Sequence, residues 1–227
     1  MRKFTDPLLL VNFKTYLEST GKRAVELSKK LEKVGENEGV KVAVAPQFCD
    51  IRQVAASVEI PVYAQHIDTV EACTGYVLPE SVKTAGADGT IINHSEKPLL
   101  LRDIGRAVER ARSVELMSVV CAGTSKLAAA ISLSEPDMVA IEPPELIGSG
   151  RAVSKENPEI VKDSVRRIRA LNSKVRILCG AGISTGDDLY AALCLGTQGV
   201  IVSSGVVKAA KPEIVAADLC KAARRFG

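Results

Sequence analysis

Aromatic residues and histidine are scarce in this sequence. Its 227 residues include no tryptophan, only 4% aromatic residues and two histidines. Proteins that bind single-stranded nucleic acid stack bases on aromatic side chains, so this class is disfavoured. Two histidines and the lack of any Cys-x-x-Cys spacing also disfavour a zinc site. The sequence therefore predicts neither a metal site nor a nucleic-acid partner.

Long apolar runs and a strong excess of one charge are also lacking. No segment approaches the roughly 18 consecutive apolar residues of a membrane helix. Lys and Arg total 30 and Asp and Glu total 27, a net charge of +3 without a long basic run, which gives no membrane-surface signature. The six cysteines are scattered, as is typical of reduced thiols in a packed core. We expect a cytoplasmic protein that does not bind a membrane.

Short β-branched runs alternate with longer amphipathic segments along the whole chain. Most of the eight runs are continuously apolar, which is typical of parallel strands covered on both faces. The predicted strands are 8–13, 40–45, 61–65, 89–94, 116–121, 137–141, 175–179 and 199–203. Helical periodicity covers 21–34, 102–113, 158–171 and 184–195, where Ser184 and Asp187 have the spacing of an N-terminal cap.

The spacing of these units predicts a single domain over residues 1–227. Eight strand–helix pairs give about 28 residues per unit, the size of one βα repeat. We therefore predict the α/β class and one (β/α)8 barrel, with some outer helices shortened because barrels typically have about 250 residues. A doubly wound open sheet is the alternative, although no Gly-x-Gly-x-x-Gly follows the first strand.

Polar residues stand where several predicted strands end, and in such a barrel these ends meet at one rim. Lys14 is either a surface lysine or an ammonium that faces an anionic substrate beside Asn12. His94 is either a core histidine or a neutral imidazole that donates to an oxyanion. Glu142 follows an apolar strand, where a carboxylate is either half of a buried ion pair or a general base.

Two kinds of loop follow the later strands. Residues 143–151 have prolines at one end and glycines at the other, which suits either a lid that moves as a unit or an ordinary surface loop. Gly/Ser clusters at 180–182 and 203–205 follow the seventh and eighth strands. Barrels often bind phosphate after these strands, through backbone N–H groups. The combination favours a phosphorylated ligand.

Four motifs at these strand ends resemble the triosephosphate isomerase family, in order and over nearly the whole chain. The likeness is to its short archaeal branch. The motifs are Asn12-Phe13-Lys14, Asn93-His94-Ser95-Glu96, Glu142-Pro143-Pro144-Glu145-Leu146-Ile147-Gly148-Ser149-Gly150-Arg151 and Gly180-Ala181-Gly182. The resemblance implies interconversion of dihydroxyacetone phosphate and D-glyceraldehyde 3-phosphate through an enediolate, without a metal or an organic cofactor.

The resemblance also implies a role for each matching residue. Glu142 corresponds to the base, His94 to the electrophile, and Lys14 to the cation that steadies the phosphate and the enediolate. Asn12 corresponds to a donor beside Lys14, and Glu96 to the carboxylate that pairs with it. The phosphate grip corresponds to backbone at Ile147, Gly148, Gly182, Ser203 and Ser204.

The sequence departs from the family pattern in two loops. Ser203 and Ser204 stand where much of the family has two glycines, and the third loop reads Cys73-Thr74-Gly75-Tyr76. In the family that loop enters a neighbouring subunit, where Thr74 would support the partner's site. The resemblance therefore implies a homodimer, with a homotetramer left open. Cys121 corresponds to a cysteine that packs near the base.

Two other functions remain open at the sequence level. One is another phosphate-binding barrel isomerase, such as those of tryptophan or histidine biosynthesis, whose larger substrates need an open mouth. The other is a barrel that binds sugar phosphates without catalysing a reaction.

Overall fold

Each of the eight apolar runs forms a parallel strand, within two residues of its predicted ends. The computed structural model of the chain describes residues 7–69 and 72–226. The predicted domain bounds also include residues 1–6, 70, 71 and 227, which lie outside the described residues. The strands are β1 (Leu8–Asn12), β2 (Lys41–Ala45), β3 (Tyr63–Ala64), β4 (Gly89–Ile92), β5 (Met117–Ala122), β6 (Met138–Ile141), β7 (Arg176–Cys179) and β8 (Gly199–Val202).

The strand order shows that the sheet curls into a nearly closed barrel. Hydrogen-bonded neighbours follow the order β2-β1-β8-β7-β6-β5-β4-β3, and every pairing is parallel. A parallel bridge between Val44 of β2 and Val62, just before β3, links the two ends of this order. The predicted (β/α)8 class is confirmed, and the open doubly wound alternative is wrong.

The helices differ in length around the barrel. They are α1 (Lys22–Glu38), α2 (Ile51–Ala55), α3 (Pro79–Thr84), α4 (Leu101–Ser113), α5 (Ser125–Ser132), α6 (Val153–Glu156), α7 (Pro158–Leu171), α8 (Gly186–Cys194), α9 (Ser204–Val207) and α10 (Pro212–Phe226). The helices after β2 and β3, α2 and α3, have 5 and 6 residues. No helix of the described residues is long and apolar enough to cross a membrane.

The predicted cap of α8 is wrong by one residue. Thr185 is the N-cap, and its side chain and that of Asp188 form a reciprocal capping box. Because two hydroxyl residues precede two aspartates, the same spacing also fits Ser184 and Asp187. The observed register buries Asp188 and leaves Asp187 exposed, so tertiary packing selects between two equivalent sequence patterns.

Alternate residues of each strand fill the barrel interior. This interior cluster consists of Leu8, Leu10, Ala43, Ala45, Tyr63, Ile91, Val119, Cys121, Met138, Ala140, Leu178 and Ile201. Because side chains along a strand alternate between faces, one further step of two residues carries Asn12, Glu142 and Gly180 to the mouth of the barrel. The packing of the core therefore orients polar positions of three strand ends toward one place.

Candidate active site

Loops after β1, β4, β6, β7 and β8 surround a cleft of about 80 Å³ at the carboxyl ends of the strands. Nine of the ten predicted site residues line it: Asn12, Lys14, His94, Glu142, Ile147, Gly148, Gly182, Ser203 and Ser204. The tenth, Glu96, lies outside the lining and is hydrogen bonded to Lys14. A cleft this small fits a small metabolite better than a large substrate.

The Glu142 carboxylate is buried and has an unused oxygen. Glu142 follows β6, its backbone N–H donates to the carbonyl oxygen of Ala122 at 2.9 Å, and the residue is 6% exposed. Its Oε2 atom has no hydrogen-bond partner among the described residues. Buried carboxylate oxygens are normally hydrogen bonded, and an unpaired one at a cleft is suited to accept a proton.

Two buried thiols lie beside this carboxylate. Burial, the negative charge of Glu142 and a hydrogen bond to it raise the pKa of the Cys121 thiol well above its usual value. Burial and the same charge also raise the pKa of Cys179. Thiols with raised pKa stay protonated and are poor nucleophiles, so Cys121 packs against Glu142 and is not suited to react itself.

Gly180, at the end of β7, makes room for Glu142. A Cβ atom at this position would stand 2.3 Å from Cγ and 2.6 Å from Oε1 of Glu142. The glutamate side chain therefore occupies the space that any larger residue at position 180 would need. The sequence predicts a phosphate loop at this Gly-rich turn, and no local pattern indicates its contact with Glu142.

His94 presents one ring nitrogen to the cleft. The backbone N–H of Glu96 donates to Nδ1 at 3.2 Å, which assigns the proton of the neutral ring to Nε2. Nε2 lies 4.0 Å from Oε2 of Glu142. The histidine is 7% exposed, so its ring can donate one hydrogen bond toward a ligand placed beside Glu142.

Lys14 is held in a strained backbone conformation by two neighbouring side chains. Its φ of 46° lies in the left-handed region, which is uncommon for a lysine. Its N–H donates to Oδ1 of Asn12 at 2.9 Å, and its carbonyl accepts from Nε2 of Gln65 at 2.8 Å. At the far end of the side chain, Nζ is 2.7 Å from Oε1 of Glu96. The ammonium therefore stays in place at the edge of the cleft.

Sequence reasoning missed Gln65 as a support for Lys14. Its amide also donates to the carbonyl oxygen of Ala45 at 3.0 Å, which joins the loops after β1, β2 and β3. Gln65 stands among the polar residues that follow the third strand, so its position was the available signal. Its partners are backbone atoms far apart in sequence, which no local pattern specifies.

The loops after β6, β7 and β8 form the other wall. The lid segment, residues 143–151, begins with a 3-10 turn at Pro144–Leu146 and has positive φ at Gly148 and Gly150. Gly182 packs so closely on it that a Cβ there would stand 1.9 Å from the Arg151 carbonyl oxygen. From β8, Ser203 lines the cleft, and its Oγ has no partner among the described residues.

The chain is similar to known proteins over nearly its whole length. The family model described as triosephosphate isomerase matches residues 7–223. A triosephosphate isomerase of Methanobacterium bryantii is 53% identical over 215 residues, which cover 94% of this chain and 95% of the relative. The enzyme of the same name from Methanocaldococcus jannaschii is 47% identical, covering 94% and 99%. That of Methanosarcina acetivorans is 49% identical, covering 95% and 98%.

Proposed function

This chain belongs to the triosephosphate isomerase family and is an enzyme of the isomerase class, and from this premise we propose which residues carry the interconversion of dihydroxyacetone phosphate and D-glyceraldehyde 3-phosphate. Membership of this family sets aside both alternatives, an isomerase of larger substrates and a barrel that only binds sugar phosphates. The reaction moves one proton between adjacent carbons and one between their oxygens. Substrate and product therefore have the same overall oxidation state.

Glu142 is the proposed base, and the observation that carries the proposal is its Oε2, which has no partner within residues 7–69 and 72–226. In dihydroxyacetone phosphate the carboxylate takes a proton from C1. The C–H electron pair then forms the C1–C2 double bond of an enediolate, as the C2 carbonyl electrons move to oxygen. Return of the proton to C2 gives the aldehyde. A carboxylate positioned beside the reacting carbon acts as a general base in this step.

His94 and Lys14 balance the charge that develops on oxygen. The Nε2–H of His94, 4.0 Å from Oε2 of Glu142, donates to the carbonyl oxygen and moves a proton between the two oxygens of the enediolate. The Lys14 ammonium stabilises the negative charge of the intermediate and of the phosphate, with Asn12 beside it. Glu96 holds that ammonium until substrate arrives. Donors fixed before the reaction are the main source of such stabilisation.

The phosphate is bound in this proposal by backbone groups on three loops. Ile147 and Gly148 of the lid, Gly182 after β7, and Ser203 and Ser204 after β8 line one end of the cleft. Binding of a phosphate that does not itself react supplies energy to close the lid over the site. Closure excludes water from the enediolate.

We also propose that two copies of the chain associate. Large apolar side chains are exposed on the loops after β1, β2, β3 and β4. This apolar rim consists of Leu17, Phe48, Tyr76, Leu78, Leu100 and Leu101, which are 40–71% exposed. Exposed large apolar side chains gathered on the loops at one end of a barrel favour an interface there. In the homodimer, the loop with Cys73, Thr74 and Tyr76 contacts the partner near Lys14, and a homotetramer is the alternative.

Two further proposals concern the chain as a whole. Residues 1–227 form one barrel domain, because strands from Leu8 to Val202 of the described residues enclose one interior core. The protein works in the cytoplasm, because free thiols such as Cys49, Cys121 and Cys194 persist in a reducing compartment.

The test follows exchange of solvent deuterium into dihydroxyacetone phosphate together with isomerisation. We expect both with the wild-type chain, and a loss of about 10³-fold in kcat for Glu142→Gln because general-base catalysis contributes on that order. Glu109→Gln, an exposed position on α4, is the matched control and should retain full activity. Equal rates for Glu142→Gln and wild type would show that Glu142 is not the base.

A further inference from the structure

The chain immediately after the lid is attached to the loop after β7. Helix α6 begins two residues beyond Arg151, and the N–H of its first residue, Val153, donates to the Ala181 carbonyl oxygen at 3.2 Å. The close packing of Gly182 on the Arg151 carbonyl lies beside this bond. The C-terminal end of the lid is therefore in direct contact with the loop that borders the phosphate end of the cleft.

Asp188 connects the same two segments through its side chain. Its Oδ2 accepts hydrogen bonds from the backbone N–H groups of Ser184 and Thr185 at 3.1 and 3.0 Å. Its Oδ1 lies 2.6 Å from the Nζ atom of Lys155 on α6, and its backbone oxygen accepts from Oγ of Ser154 at 2.9 Å. One buried residue thus contacts both the loop after β7 and the helix after the lid.

We propose that Asp188 is a positioning residue of the isomerase, which through Lys155 holds the C-terminal end of the lid on the phosphate loop. The inference rests on the proposed function and extends it to two residues that do not line the cleft. A lid closes productively only if both of its ends are fixed. The backbone hydrogen bond of Glu142, directly after β6, to Ala122 fixes the first end, and the contact between Lys155 and Asp188 fixes the second.

The charges of this pair persist at neutral pH. Burial alone would raise the pKa of Asp188, but the Lys155 ammonium and the backbone N–H groups of Ser184 and Thr185 outweigh burial and hold it below its usual value. The hydrogen bond with Asp188 raises the pKa of Lys155. Both groups are therefore ionised at neutral pH, as an ion pair between them requires.

A loosened lid end has a chemical signature distinct from a loss of stability. In an open site the enediolate can expel its phosphate. The enediolate electron pair forms a double bond to C3 while the C3–O bond breaks, and inorganic phosphate leaves with that bonding pair. Tautomerisation of the resulting enol gives methylglyoxal. The ratio of phosphate release to isomerisation therefore reports how well the closed lid protects the intermediate.

The experiment compares Lys155→Met with Lys155→Arg and wild type. Lys155 is half-exposed and Asp188 is buried, so this substitution removes the link without disturbing the cap of α8. We expect Lys155→Met to raise the ratio of phosphate release to isomerisation about fivefold and to weaken phosphoglycolate binding by a similar factor, as befits a partly exposed ion pair. Lys155→Arg should restore both values, because it keeps the charge.

The control is Lys162→Met, which removes another exposed lysine 2.9 Å from a carboxylate, that of Glu159 on α7. It should leave the ratio at the wild-type value. An unchanged ratio in Lys155→Met, or an equal rise in Lys162→Met, overturns the role of Asp188 and leaves the proposed function standing. A wild-type chain that releases phosphate but does not isomerise overturns the proposed function and the inference together.

Discussion

The two sides of the barrel mouth differ in how completely one chain builds them. On the side after β6, β7 and β8, contacts within the chain join the loops, such as that between Lys155 and Asp188. On the side after β1 to β4, Lys14 and His94 stand on loops that also carry residues of the apolar rim, such as Leu17, which is 71% exposed. Contacts within one chain thus join the loops around Glu142, while the loop with Lys14 also carries a surface that a second copy would cover in the proposed dimer.

Helix length accounts for part of this difference. The helices after β2 and β3 have only 5 and 6 residues, whereas α7 after β6 has 14 and α8 after β7 has 9. Short helices cover less of the barrel beside the loops after β2 and β3. The comparison teaches that association should affect the Lys14 side of the site and leave the Glu142 side intact.

The largest effect is expected for Gly180→Ala, which disturbs the side of the barrel mouth formed by the loops after β6, β7 and β8. The new Cβ would stand 2.3 Å from Cγ of Glu142, so the carboxylate must move. We expect kcat to fall about 10²-fold, since a shift of about 1 Å in a reacting group has that cost. Steady-state kinetics measure the effect. Gly105→Ala on α4, where a Cβ would be 3.5 Å from Oγ of Ser134, should be silent. Full activity in Gly180→Ala would contradict the proposed contact.

A charge placed in the apolar rim tests the side of the barrel mouth formed by the loops after β1 to β4. Tyr76→Asp should raise the dimer dissociation constant about 30-fold or more, because an unpaired carboxylate in an interface costs roughly 2 kcal/mol. Sedimentation and activity measured against protein concentration detect the change, and activity should fall at low concentration. The matched variant Ile214→Asp, on an exposed position of α10, should not dissociate. If Tyr76→Asp remained dimeric, the apolar rim would not be the interface, and the two sides of the barrel mouth would not differ in their dependence on association.

The smallest effect is expected for Ser203→Ala, which tests whether the Ser203 side chain contributes to phosphate binding. Its buried Oγ has no partner in the part of the chain that the structure describes, and rotation about χ1 would let it donate to a bound phosphate. Ser203→Ala should weaken phosphoglycolate binding about fivefold, the value of an ordinary hydrogen bond. The same variant should be at least as stable as wild type, because an unpaired buried hydroxyl is unfavourable. Calorimetry measures both, with Ser57→Ala as control. An unchanged affinity would show that only the backbone of Ser203 contributes to phosphate binding.

Periodicity and strand-end chemistry predicted much of this protein. Parallel strands buried on both faces must be apolar, so the residues that interrupt them, such as Lys14, His94 and Glu142, stand out as candidates. Their convergence depends on barrel closure, which periodicity does not specify. The family resemblance, not the pattern, supplied their roles.

The missed features depend on contacts between distant segments. Gln65 hydrogen bonds to Lys14, which lies 51 positions away in the sequence. A glycine is needed at position 180 because the side chain of Glu142, which follows β6, fills the space beside it. The capping register of α8 had two equivalent solutions in sequence, and the burial of Asp188 selected one. Local patterns identify which residues are unusual, and packing determines what they touch.

The barrel closes between β2 and β3 through the bridge of Val44 and Val62, and β7 and β8 are joined by one residue pair, Cys179 and Val200, whereas β1 and β2 pair over five residues. Transient opening of the sheet should therefore begin at one of these two junctions, and native-state hydrogen exchange should find the Val44 amide less protected than that of Val11. A circular permutant with new termini between β2 and β3 would keep every longer strand pairing intact.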